Sequence, residues 1–138
     1  MNRALPCFAA AIAACTLAAP AQTQRGAAPQ AELDCKPTRQ HLVYDCTLRL
    51  ARRDGSPLAG VPVSIGADMP SMPMAHNVKP VEAQPGAAPG EYHARLELEM
   101  QGVWAVKLRL GKPANDLLVL HYRFDERGAS PQAGALQR

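Results

Sequence analysis

Aromatic side chains are scarce in this chain: one Trp, three Tyr and two Phe in 138 residues. Runs of like charge are equally hard to find. Fifteen Lys and Arg stand against twelve Asp and Glu, for a net charge of +3, and the two signs are interspersed. Without a basic stripe interleaved with aromatics, nucleic-acid binding has no support. Without a polybasic run, neither has binding to an anionic membrane surface. No Gly-rich loop opens a helix to cradle a phosphate, and no H-E-x-x-H is present. Ser64 and Ser71 lack a His/Asp partner order, and Glu97 and Glu99 read as a solvated strand face. The chain is therefore not expected to be an enzyme. Helical periodicity of useful length is missing too, which turns the fold argument towards strands.

Long apolar sequence is confined to one place. After Arg3, an apolar run extends from Leu5 to about Ala19, and Ala19-Pro20-Ala21 offers small residues of the A-x-A type. Residues 1–21 read as a secretory signal peptide, too short to span a bilayer comfortably. The alternative is a lipobox, Ile12-Ala13-Ala14-Cys15, in which a lipidated Cys15 becomes the mature N-terminus and anchors a membrane-attached lipoprotein. No second apolar segment follows that is long enough to cross a membrane, so the mature chain is expected to be periplasmic or secreted. Of the four cysteines, Cys7 and Cys15 belong to this leader. The remaining pair, Cys35 and Cys46, is expected to form a disulfide in an oxidising compartment. The competing reading, a thiolate metal site, is poorly served by two cysteines.

Residues 22–30 are rich in Ala, Gln, Pro and Gly and read as a flexible spacer, and residues 126–138 read as a disordered tail. Between them, 31–125 carries strand signals of period two. Leu42, Tyr44, Cys46, Leu48 and Leu50 alternate with Asp45, Thr47 and Arg49. Val61, Val63 and Ile65 share a face, with Pro62 suggesting a sheet edge. Tyr92, Ala94, Leu96, Leu98 and Met100 point inward against His93, Arg95, Glu97 and Glu99, and Trp104, Val106, Leu108 and Leu110 return. "LLVLHYRF" makes a last strand. The pattern predicts an all-β, immunoglobulin-like antiparallel sandwich of about seven short strands behind a signal peptide.

Sulfur is placed unusually. "DMPSMPMAHN", Asp68 to Asn77, holds three of the five methionines and one of the four histidines. If strands run alternately up and down, this loop, the end of the strand reaching Met100, the start of the one carrying Trp104, and the turn with His41 all gather at one end. Thioether sulfur is soft and does not titrate; it suits Cu(I) and serves hard cations poorly. Pro70 and Pro73 favour extended geometry, in which Met72, Met74 and His76, spaced by two, point the same way. These three are candidate ligands of copper as Cu(I). Met69 is a fourth donor or a packing residue, and His41 and Met100 are possible additions. Asp68 is a harder donor suited to Cu(II). Two other readings stand beside this one. The methionines cap the open end of the sandwich, or they form an adaptable apolar patch for a partner.

The segments "ADMPSMPMAHNV" and "PGEYHARLELEMQGVWAVKLRL" resemble the FixH/YtkA-like family of exported bacterial proteins: a Met/Pro/His segment, Pro89-Gly90-Glu91-Tyr92 leading a strand, and Met100-Gln101-Gly102-Val103-Trp104 opening the next. The resemblance covers about half of the mature chain. It implies an immunoglobulin-like sandwich and a link to copper homeostasis or haem–copper oxidase assembly. The implied partner is a copper donor or acceptor protein, such as an efflux or oxidase-assembly component. FixH-type proteins carry an N-terminal membrane anchor, whereas this chain is read with a signal or lipobox, which weakens a role inside an assembly complex.

Overall fold

The structure is a computed structural model that describes residues 28–111 and 116–133. The expected signal peptide, the lipobox at Cys15, most of the spacer and residues 134–138 lie outside the described residues.

Period-two patterning produces strands throughout. They are β1 (Gln30–Pro37), β2 (Val43–Ala51), β3 (Val63–Asp68), β4 (Asn77–Glu82), β5 (Gln84–Pro85), β6 (Glu91–Glu97), β7 (Gly102–Leu110), β8 (Asp116–Asp125) and β9 (Gly128–Pro131). All pairings are antiparallel, in a four-stranded sheet β1-β2-β6-β5 and a five-stranded sheet β4-β3-β7-β8-β9. Up to β8 this is the strand order of an immunoglobulin-type sandwich. The core lies between the inward rows: Tyr44, Cys46, Leu48 and Leu50 of β2, and Trp104, Val106, Leu108 and Leu110 of β7, are all buried. Trp104 and Phe124 are fully covered at its centre.

Three details differ from the sequence reading. First, the strands number nine rather than about seven. One of the additions, β9, falls in the expected tail and pairs with β8 from Tyr122↔Pro131 to Asp125↔Gly128. Its polar, Pro- and Gly-containing sequence hides a strand that needs only backbone pairing and a close approach. A β-carbon at Gly128 would collide with the Cys35 carbonyl, so β9 lies directly against β1. Second, β3 sits between β4 and β7 and is not an edge. Pro62 precedes its first residue, where a missing N–H costs no ladder bond, and its carbonyl accepts from Gly111 N at 2.8 Å. The proline that does mark an edge is Pro80, in β4, at a bulge where the register shifts opposite Ile65/Ala67. Third, Met100 lies beyond the end of β6 and is 37% exposed, because the chain is already turning towards β7.

Cys35 and Cys46 face each other across the β1–β2 hairpin and form a disulfide. Both are buried, and the bond joins neighbours within one sheet rather than bridging the two layers. All three tyrosines hold backbone with their hydroxyls. Tyr44 of β2 donates to Asp125 O of the opposite sheet at 2.9 Å. Tyr122 of β8 accepts from Leu33 N of β1 at 3.1 Å. Tyr92 accepts from Val61 N at 3.3 Å and donates to Leu58 O at 3.1 Å, fixing the entry to β3.

Candidate functional site

The methionine segment joins β3 to β4 and is folded, not extended. Met72 N donates to Met69 O at 3.0 Å, Ala75 N to Met72 O at 3.1 Å, and His76 N to Met72 O at 3.2 Å. Met69 N donates to His76 O at 3.1 Å and closes the loop. These are two consecutive turns, and Pro70 and Pro73 each occupy the second position of one. That is the position proline prefers in a type I or II turn. The expected extended geometry is therefore not found, and the spacing of two no longer aligns Met72, Met74 and His76. A different period replaces it. Met72 and His76 are four residues apart, and the amide of one bonds the carbonyl of the other across the turn. Met74 points away from the body and is 94% exposed, whereas Met72 is 39% exposed.

Met69 belongs to the core, being 4% exposed. A β-carbon at Gly102 would lie 2.7 Å from its terminal methyl, and Gly102 adopts φ +143°. The glycine of the Met100–Trp104 motif is thus required twice, for its backbone conformation and for the room it leaves this thioether. Beneath it, Trp104 Nε1 donates to Met100 O at 3.1 Å and pins the turn between β6 and β7.

That turn meets the methionine loop through a pair the sequence reading missed. His76 Nδ1 lies 2.5 Å from Glu99 Oε2. The alternation of β6 marks Glu99 as a solvated outward residue. The signal that could have found it is the strand parity, which already brings the end of β6 and this loop together. At the base of the loop Asp68 pairs with Lys107, so the harder candidate donor is engaged on the outer face of its sheet. His41 is exposed in the turn before β2. Leu98 N donates to Leu42 O at 2.9 Å, which places that turn at the same end. The neighbouring Leu42 takes a left-handed conformation, φ 60°, so this turn is held under strain.

The groups with shifted ionisation lie elsewhere. The hydrogen bond from Arg95 holds the Asp45 carboxyl below the usual range, and the Ser56 hydroxyl and amide do the same for Asp54. Asp45 and Arg95 line a shallow groove of about 720 Å³ on the outer face of the four-stranded sheet, with Asp34, Lys36, Thr47 and His93. Acids and bases alternate there, and Arg95 Nε meets Asp45 Oδ1 at 2.8 Å. At the loop end, by contrast, the donors are two thioethers on the loop, a third on the adjoining turn, the imidazoles of His76 and His41, and the Glu99 carboxylate. The thioethers and an imidazole suit a soft monovalent cation, and the exposed sulfurs equally suit an apolar surface.

A family model described as YtkA-like matches residues 39–109. The matched span runs from the turn before β2 to the end of β7 and contains every candidate ligand; of the disulfide cysteines it contains only Cys46. No curated protein and no solved structure matches the chain.

Proposed function

The chain belongs to the YtkA-like family, and from that premise we propose that it is a periplasmic copper-binding protein that carries Cu(I) at the end of its sandwich. The observation that supports this most is the placement of sulfur. Among the described residues, three of the four exposed large hydrophobic side chains are methionines, Met72, Met74 and Met100, and all three lie at the His76 end. Methionines that merely capped the core would be buried, as Met69 is. Met72 and His76, joined through their backbones across one turn, are the first ligand pair. Met74 and Met100 are the sulfurs free to join them or to hand the ion on. His41 is a further donor within the same end, and Met69 supports from below. Cu(I) is cargo here, held by soft donors that do not oxidise as thiols do. The activity is carriage rather than turnover. The partner is a copper donor or acceptor in an efflux or oxidase-assembly system, and the export route through a signal peptide, or through a lipid on Cys15, delivers the protein to it.

The second reading is that the exposed thioethers form a docking patch for a protein partner, which the 94% exposure of Met74 also favours. Anaerobic titration with Cu(I) against a competing chelator separates the two. For a carrier, Met72→Ala and Met74→Ala each weaken Cu(I) binding about tenfold or more, roughly 1.4 kcal/mol, while the fold survives. For a docking patch, the wild type shows no Cu(I) affinity to lose, and the same variants lose a co-purifying partner.

A further inference from the structure

We infer that Glu99 is a positioning residue that fixes the ring of His76 so that Nε2, and not Nδ1, is the atom offered to a soft metal ion; this rests on the copper reading above. His76 Nδ1 and Glu99 Oε2 are 2.5 Å apart. A carboxylate accepts and does not donate, so the hydrogen between them belongs to Nδ1. This holds for the neutral ring and for the imidazolium alike. In the neutral ring this leaves Nε2 for a metal; the imidazolium, with a proton on each nitrogen, must first release the one on Nε2.

The pair is held from both sides by backbone that the fold fixes. His76 N donates to Met72 O, and His76 O accepts from Met69 N, whose own side chain is in the core. On the other side, Leu98 N is bonded to Leu42 O, and the Met100 carbonyl is held by the buried Trp104 indole. Glu99 lies between these two anchors. The ends of β6 and β7 therefore place the carboxylate, and the hydrogen bonds that close the loop onto the buried Met69 place the ring. The side chains are 28% and 53% exposed, so the ring reaches solvent while one edge is occupied. A carboxylate behind a ligating imidazole fixes its tautomer and orientation and raises its donor strength, and removing such a partner typically weakens metal binding about 10- to 100-fold.

The test combines two measurements on the mature full chain. Long-range ¹⁵N–¹H NMR of the metal-free protein is expected to show His76 with its proton on Nδ1, and Nε2 as the nitrogen whose shift moves when Cu(I) is added anaerobically. Glu99→Ala should abolish that tautomer preference and weaken Cu(I) binding about 10- to 100-fold. Glu99→Gln, whose side-chain carbonyl can still accept from Nδ1, should restore the tautomer and part of the affinity. A proton on Nε2 in the metal-free wild type, or a Cu(I)-induced shift at Nδ1, overturns the inference. So does a Glu99→Ala protein that binds Cu(I) as tightly as the wild type. A wild type that shows the Nδ1 tautomer and binds no Cu(I) overturns the copper reading instead, and with it the metal role given to Glu99.

Discussion

Met69 and Met74 are five positions apart, chemically identical and oppositely placed: one is 4% exposed, the other 94%. Truncating Met69 removes a thioether from between Gly102 and the core and leaves a cavity, so Met69→Ala is expected to cost about 2–5 kcal/mol of stability. Met74→Ala, with no contacts to lose, should stay within about 0.5 kcal/mol of the wild type. Urea denaturation of the two variants checks this. Equal losses would mean that the loop packs as a unit, as a cap does. Single residues also show where sequence reasoning stopped. Clustering of sulfur was legible, because it needs only counting. The direction of each side chain was not, because Pro70 and Pro73 are compatible both with extended chain and with the second position of a turn. Nothing local to the sequence decides between them; the closing bond from Met69 N to His76 O does.

At the scale of elements, the β1–β2 hairpin carries the disulfide at directly facing positions. The bond closes a short stretch, with a sequence separation of 11, and is expected to add roughly 3 kcal/mol by restricting the unfolded chain. Mass spectrometry of the unreduced mature protein should find two hydrogens fewer than the free thiols require. Denaturation with and without reductant should show the stability difference; no difference on reduction would mean that the facing strands hold themselves. Strands β2, β3, β6 and β7 were legible because one face is buried and the other wetter, which writes period two into the residues, and β8 was legible as a short apolar run. β5 and β9 were not. With two and four residues respectively, they are too short for alternation to register, and they exist because a neighbouring strand offers them hydrogen bonds. The pairing of Cys35 with Cys46 followed from export and counting. The His76–Glu99 pair escaped because it links a loop to a turn 23 residues away.

Across the whole molecule, the Tyr44 hydroxyl that ties the two layers gives the fold a pH dependence on the alkaline side. Burial, and then the charges of Asp125 and Glu126, push the Tyr44 hydroxyl above its ordinary range. The unfolded chain ionises this group near pH 10, roughly, while the folded chain still holds the proton. The contribution is therefore fully present below that pH and is lost as pH rises through the folded value. Denaturation midpoints measured from about pH 8 to pH 11 should fall for the wild type. They should fall less for Tyr44→Phe, which begins lower, having lost the bond to Asp125 O, but has no proton to release. A parallel decline in both proteins would assign the alkaline loss to another group.

The rims of the sandwich have a consequence for how this protein meets others. The outermost strands are β1 and β5 in one sheet and β4 and β9 in the other. β1 is flanked by β9 and gives its Leu33 amide to Tyr122; β4 is broken by Pro80 at a bulge; β5 and β9 are too short to template anything. An open strand edge is the usual seed of runaway self-assembly, and short, bulged or covered edges are the usual safeguard. Among the described residues, no long, flat and uncovered edge is offered for another copy to extend. What stands clear of the body is the pole, where the methionines offer side chains rather than backbone to a neighbour.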